Sequence, residues 1–216
     1  MSRPALPFGL YAITDPDLLP EAVLAERVAA AIAGGAGVVQ YRDKSADADT
    51  RRRRAALVLA ACRAGGALCI INDDAGLAAE LGADGLHLGR EDCSMQEARR
   101  LLGPERLIGV SCYNEPDRAR AAAAAGADYV GIGSVWPSGT KPGAVRAPLA
   151  LLRELAATLP IALVAIGGIT RDNAAETIAA GAHAVAVIRD LFGDPDPHAA
   201  AQVLSAACER GRAQIK

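Results

Sequence analysis

The stretch Gly126-Ala127-Asp128-Tyr129-Val130-Gly131-Ile132-Gly133 places a glycine-alanine step directly before a short apolar run. The same step recurs at Gly35-Ala36, Gly82-Ala83 and Gly181-Ala182, each time ahead of such a run. Glycine ends a helix in a left-handed conformation without steric penalty. The small alanine then lets the chain turn tightly into the next strand. A step that recurs along a chain in this way marks a repetitive architecture.

Outward from these steps, short apolar runs alternate with longer Ala/Leu/Arg/Glu segments. The runs are Leu10–Thr14, Val38–Arg42, Cys69–Asn72, Gly85–Leu88, Leu107–Cys112, Tyr129–Gly133, Ala162–Gly167 and Ala184–Arg189. The helix-like segments are 20–33, 48–65, 74–81, 94–102, 115–125, 148–158, 171–180 and 197–210. Parallel strands buried on both faces read as continuous apolar runs, as these do. Strict alternation predicts an α/β protein, a single (β/α)8 TIM barrel over residues 1–216 with residues 1–8 as a short N-terminal extension. The glycine-alanine steps precede the second, fourth, sixth and eighth strands. That quarter-like period suits a closed barrel better than a doubly wound open sheet, the other architecture built from such units.

Hydrophobic residues make up 51% of the 216 and aromatics only 3%, so the core must be aliphatic. A net charge of −2 offers no electrostatic grip on nucleic acid or an acidic membrane. The five cysteines are scattered and lack C-x-x-C spacing, so they read as mostly buried thiols of a reducing compartment rather than a disulfide framework or zinc site. The N-terminus has no apolar signal-peptide core and no apolar run is long enough to span a membrane. A cytoplasmic protein is the expectation.

In such a barrel the chemistry gathers where strands end and the following loops begin. Alternation puts Gln40, Arg42 and Lys44 on one side of the second strand and Tyr41 on the other. Two cations on one face of a rim form an anion site, the alternative being a surface charge pair. The third strand ends in Asn72-Asp73-Asp74 and the fourth is followed by Arg90-Glu91-Asp92. Carboxylates at neighbouring strand ends can together hold a hard cation such as magnesium, which takes few protein ligands. Asp73 and Asp92 are the candidates, and each precedes a helical segment, so an N-cap role is the competing reading. His87, between leucines in a strand, reads as a packed, hydrogen-bonded residue, and His183 and His198 carry no functional signal.

Ser111 at the end of the fifth strand can donate to a phosphate or polar ring; Asn114 is better placed to cap the next helix. No G-x-S-x-G is present, and Cys112 lacks a neighbouring histidine to activate it. The stretch Gly131 to Gly143, with Trp136, Ser138, Thr140 and Lys141, reads as a flap that closes on a phosphorylated ligand. Gly167 and Gly168 expose backbone N–H groups beside the eighth strand, a common phosphate cup in barrels. Arg51-Arg52-Arg53-Arg54 reads as a solvated helical face.

Taken in order, several stretches resemble the thiamine-phosphate synthase (thiamine-phosphate pyrophosphorylase) family, whose fold is shared by TenI-type thiazole tautomerases. They are Leu10-Tyr11-Ala12-Ile13-Thr14-Asp15, Gln40-x-Arg42-x-Lys44, Ile71-Asn72-Asp73, His87-Leu88-Gly89-x-Glu91-Asp92, Gly109-Val110-Ser111, Pro137-Ser138-x-Thr140-Lys141 and Ala165-Ile166-Gly167-Gly168-Ile169. The resemblance implies an enzyme that joins hydroxymethylpyrimidine diphosphate to thiazole phosphate and releases pyrophosphate. It implies that Gln40, Arg42, Lys44 and Asn72 hold the pyrimidine diphosphate and that Asp73 and Asp92 hold Mg²⁺. Ser111 would lie near the pyrimidine or the leaving group, and Lys141 on the pyrophosphate. Ser138, Thr140, Gly168, Ile188 and Arg189 would hold the thiazole phosphate. Arg42, Lys44, Ser111 and Lys141 are the expected catalytic groups.

The sequence departs from the family pattern at three places: Ser138 where threonine is usual, Arg90 where glutamine is frequent, and Arg189 where serine is frequent. The expected partners are the two small-molecule substrates, with no nucleic acid or membrane; a homo-oligomer is compatible with the sequence. A thiazole tautomerase is the first alternative, and there the family places a histidine where Tyr113 stands. A non-catalytic phosphate-binding barrel is the second.

Overall fold

The computed structural model describes residues 3–44, 46–137 and 145–215. Eight parallel strands close into a barrel in sequence order. They are β1 (Gly9–Ile13), β2 (Ala36–Tyr41), β3 (Leu68–Asn72), β4 (Gly85–Leu88), β5 (Leu107–Tyr113), β6 (Tyr129–Gly133), β7 (Ala162–Ile166) and β8 (Ala184–Val187). Pairing of β1 with β8 closes the ring, with Leu10 opposite Val185. Closure excludes the doubly wound sheet, which has two open edges.

Outside the ring lie α1 (Glu21–Ala33), α2 (Ala48–Gly65), α3 (Ala75–Leu81), α4 (Met95–Leu102), α5 (Pro116–Ala124), α6 (Leu149–Thr158), α7 (Ala174–Ala179), α8 (Arg189–Phe192) and α9 (Pro197–Arg212). Among the described residues, the element added to the expected eight helices is α8. The sequence reading carries the eighth strand through Arg189, whereas the strand ends at Val187 and Arg189 opens this short helix.

The repeated step does the expected work. Gly35, Gly82, Gly126 and Gly181 all have positive φ, between 63° and 116°. Two copies carry an aspartate after the alanine, and each pins the start of the preceding strand at the barrel floor. Cys69 N donates to Asp84 Oδ2 (2.8 Å) and Ile108 N to Asp128 Oδ2 (2.7 Å).

Strand alternation divides the core in two. An outer layer between strands and helices holds residues such as Val39, Tyr41, Ile71, Leu86 and Val185. An inner layer fills the barrel with Tyr11, Ile13, Val38, Ile70, Leu107 and Tyr129. Leu6 joins that inner layer from below, and its carbonyl lies 2.9 Å from His183 Nε2. Residues 3–8 thus plug the floor, and the opposite end stays available for chemistry.

Gly109 is required by this packing. A Cβ there would stand 2.0 Å from Cζ of Tyr129, whose ring is fully buried. Overpacking of a close-packed core costs about 1–3 kcal/mol, and a clash with a ring that cannot move lies at the upper end. Gly109→Ala is therefore expected to lower stability by about 3 kcal/mol, read from the urea unfolding midpoint. A midpoint equal to that of the unmutated protein would show that the ring has another place to go.

Candidate active site at the carboxyl-terminal rim

The end of β2 separates its side chains as alternation requires. Tyr41 faces the outer core, and Gln40 enters the barrel, where its Nε2 donates to Tyr11 Oη at 2.8 Å. The Arg42 backbone is locked to the end of β1, with its N–H donating to Thr14 Oγ1 at 2.9 Å. Among the described residues, no carboxylate pairs with the Arg42 guanidinium. Lys44 reaches across to the end of β3, with Nζ 2.8 Å from Asp73 Oδ2.

Asp73 and Asp92 are not helix caps. Asp74 caps α3 by accepting from Leu77 N (2.9 Å), and Ser94 caps α4 by accepting from Glu97 N (3.2 Å). Asp73 instead has φ of 66°, a left-handed conformation uncommon outside glycine, asparagine and aspartate. Its N–H donates to His87 O at 2.9 Å, tying the end of β3 to β4. Asp92 Oδ2 accepts from Gly89 N at 2.6 Å.

The two carboxylates are within hydrogen-bond reach of each other. Burial, opposed in part by the Gly89 N–H, and the neighbouring Asp73 push the Asp92 carboxyl up. Burial also acts upward on Asp73, but the hydrogen bonds from Lys44 and Asp92 outweigh it and hold that carboxyl down. Two facing carboxylates with opposed tendencies are a donor set that a divalent cation would relieve of its mutual repulsion. The fit is to an ion that needs few protein ligands. Among the described residues no group of three or more histidine, cysteine or acidic side chains forms a fuller cage.

Inside the mouth, Ser111 Oγ lies 2.9 Å from His87 Nε2, and His87 Nδ1 lies 3.1 Å from Tyr129 Oη. Tyr129 Oη is 2.9 Å from Tyr11 Oη. Burial pushes both phenols well above their ordinary range, so both keep their protons. Burial also pulls His87 down to about 4, leaving a neutral imidazole at pH 7. His87 is thus the packed, hydrogen-bonded residue its position suggests, and it also touches Ser111. Arg118 braces the rim from α5, with Nε donating to Ser111 O (2.8 Å) and Nη2 to Gly89 O (3.3 Å).

On the far side, Gly168 has φ of 65° and sits against the stem of the β6 loop. A Cβ there would stand 2.2 Å from Pro137 O. Its carbonyl accepts from Asn173 Nδ2 at 3.0 Å. Trp136 fastens the same stem, with Nε1 donating to Thr177 Oγ1 at 2.9 Å. Ile188 packs partly against the inner core, and Arg189 is exposed at the start of α8. Ser138, Thr140 and Lys141 lie outside the described residues. Asn72 ends β3 on the same rim, half-buried.

The thiamine monophosphate synthase family model matches residues 10–191. The chain is 52% identical over 202 residues to the thiamine-phosphate synthase of Thioalkalivibrio sulfidiphilus, covering 93% of this chain and 95% of that one. It is 54% identical over 197 residues to the thiamine-phosphate synthase of Chromobacterium violaceum, covering 91% and 94%. The thiamine phosphate pyrophosphorylase structure from Pyrococcus furiosus superposes with a TM-score of 0.86 at 34% identity, covering 94% of this chain and 96% of that chain. This chain belongs to the thiamine-phosphate synthase family. It is a transferase built on a (β/α)8 barrel, and its family's reaction is the condensation that forms thiamine phosphate.

Within that family frame, two departures acquire a structural setting. Arg90 turns away from Asp92: it pairs with Glu115 and lies over the Tyr113 ring, 4.9 Å from its centroid. Tyr113 itself is exposed with φ of 55°. Arg189 has no carboxylate partner among the described residues. Cys112 is buried and its thiol is pushed up to about 12 by burial, as an inert residue should be. Two sequence-based readings are corrected. Asn114 does not cap α5, which starts at Pro116 without a side-chain cap. Arg54 is not on a solvated face: it is buried and paired with Asp43. Successive helical residues turn by about 100°, so four in a row cover the whole cylinder and one must face inward.

The sequence reading also passed over Tyr11, Tyr129 and Arg118. The partners of the tyrosines are far away in the chain, 118 residues in the case of their contact with each other. The available signal was the pair of glycines inside strands, Gly109 and Gly131, because a strand glycine often marks a close approach by another group.

Proposed function

We propose that this chain carries out the condensation with the division of labour that the family resemblance implies. Gln40, Arg42, Lys44, Asn72 and Ser111 bind the pyrimidine diphosphate. Lys141 meets the departing pyrophosphate, and Ser138, Thr140, Gly168, Ile188 and Arg189 bind the thiazole phosphate. Asp73 and Asp92 hold a magnesium ion, which supplies charge neutralisation for the diphosphate. Residues 1–216 act as one domain in the cytoplasm, with the two small molecules as partners.

The bond between the pyrimidine methylene carbon and the diphosphate oxygen breaks, and its electron pair leaves with the oxygen. The aminopyrimidine ring stabilises the electron-poor methylene. The thiazole nitrogen lone pair then forms the new carbon–nitrogen bond and leaves the nitrogen cationic. The protein's part is electrostatic and positional: Arg42 and Lys44 offset the growing charge on the leaving group, and the two phosphate sites align the reactants.

The observation that carries this reading is the charged set at the ends of β2, β3 and β4. Lys44 is paired to Asp73, Asp73 faces Asp92, and Arg42 has no carboxylate partner among the described residues. A tautomerase acting on a thiazole carboxylate phosphate has no diphosphate leaving group for a metal-binding carboxylate pair to neutralise. The test is to incubate the purified protein with thiazole carboxylate phosphate alone and, separately, with both condensation substrates and Mg²⁺. Thiamine phosphate only in the second mixture is the expected result. Isomerisation in the first and no condensation in the second would replace this reading with the tautomerase.

A further inference from the structure

We propose that Tyr11, Tyr129 and His87 are positioning residues, a one-way hydrogen-bond relay that presents Ser111 to the pyrimidine as a donor and Gln40 as an acceptor. The proposal rests on the functional reading above for the identity of the ligand, but the direction of the relay does not.

Four consecutive hydrogen bonds cross the barrel interior from β2 to β5. Gln40 Nε2 donates to Tyr11 Oη at 2.8 Å. Tyr11 has a single proton, and its other neighbour is Tyr129 Oη at 2.9 Å. Tyr129, having accepted there, gives its own proton to His87 Nδ1 at 3.1 Å. A neutral imidazole that accepts at Nδ1 carries its proton on Nε2. That Nε2–H therefore points at Ser111 Oγ, 2.9 Å away. Ser111 accepts from the protein and keeps its own proton to give. At the opposite end, the bond from one N–H of Gln40 fixes the orientation of its amide and leaves Oε1 as an acceptor.

The barrel is shaped around this chain. Gly109 leaves the space that the Tyr129 ring occupies, and a Cβ at Gly131 would come within 3.4 Å of His87 Cε1. The His87 and Tyr129 rings stack with centroids 5.5 Å apart. Both phenols are buried, Tyr11 at 1% and Tyr129 at 0% exposure.

The polarity has a chemical consequence. A serine 2.9 Å from a histidine resembles a nucleophile with its base. With the proton already on Nε2, His87 cannot take one from Ser111 at that atom, so the pair works as a donor. An aminopyrimidine presents an exocyclic amine beside acceptor ring nitrogens. That edge needs one acceptor and one donor, which are what Gln40 and Ser111 offer.

The relay is tested by ¹⁵N NMR of the unmutated protein labelled at histidine, with the His87 signals among the three histidines assigned from His87→Gln. A His87 neutral tautomer protonated at Nε2 is expected. Protonation at Nδ1 instead reverses the relay and overturns the proposal, whatever the protein's activity. In Tyr129→Phe the link is cut, so the tautomer should become mixed. The KM for the pyrimidine diphosphate should rise about tenfold, the cost of one buried hydrogen bond, while the KM for the thiazole phosphate stays unchanged. Tyr11→Phe, one bond further from His87, should move both readouts in the same direction by less, and it serves if Tyr129→Phe does not fold. An unaltered tautomer, or an equal rise in both KM values, would overturn the proposal. Failure of the unmutated protein to form thiamine phosphate would sink the functional reading and leave the tautomer result standing by itself.

Discussion

Asp73→Asn is expected to lower turnover by about 10²–10³-fold, because it removes one of two carboxylates proposed to hold the metal that supplies several kcal/mol of charge stabilisation. Asparagine is a clean substitution here. It tolerates the left-handed backbone that Asp73 adopts at φ 66°, so the loop keeps its shape. What changes is charge. Lys44 loses its ion pair, and Asp92, raised first by burial, loses the neighbouring charge that adds to that rise. The same loss is expected for Asp92→Asn. Asp74→Asn is the control: Asp74 only caps α3, and asparagine caps as well as aspartate, so turnover should stay within about twofold. Steady-state rates over a magnesium titration decide the matter. Full activity in both Asp73→Asn and Asp92→Asn would remove these residues as metal ligands.

Arg54→Ala is expected to be the most destabilising single change outside the barrel interior, by about 3–5 kcal/mol, or roughly 10 °C in Tm. The Arg54 and Asp43 side chains are 10% and 1% exposed, and the two groups are paired by Arg54 Nη1 and Asp43 Oδ2. Arg54 Nη2 also donates to Leu19 O at 2.7 Å, joining the β1 loop to α2. Removing the guanidinium strips Asp43 of its buried cation and leaves the Leu19 carbonyl without this donor. The damage extends to the site. Asp43 Oδ1 accepts from Ala46 N at 3.1 Å, so the same carboxylate shapes the turn that carries Arg42 and Lys44. Thermal unfolding and the KM for the pyrimidine diphosphate should both change. A loss under about 1 kcal/mol would show that water solvates the pair.

The fold was legible because its signal is repetitive and local. Eight apolar runs and the glycine-alanine steps each report on a few consecutive residues, and the positive φ of Gly35, Gly82, Gly126 and Gly181 is what those steps need. The rim was legible for a similar reason: a barrel places chemistry at strand ends, and Arg42, Lys44, Asp73 and Asp92 lie at or just past three of them. What the sequence hid is long-range. Nothing near Tyr11 indicates that its hydroxyl meets Tyr129, and nothing near Arg54 indicates which of four arginines turns inward to Asp43. Helical geometry required one of the four to do so, but the choice depends on how α2 sits against β2. The end of β8 was misplaced because Ile188 continues the apolar run in sequence while the backbone already turns into α8.

The most direct test of the account is the stoichiometry of the reaction. Purified protein is supplied with hydroxymethylpyrimidine diphosphate, thiazole phosphate and Mg²⁺, and pyrophosphate and thiamine phosphate are measured together. The proposed rim, with an anion site for each substrate and a carboxylate pair beside one of them, predicts equal amounts of the two products and neither when one substrate is omitted. Folded protein that forms no thiamine phosphate, or that releases pyrophosphate without it, would contradict the account.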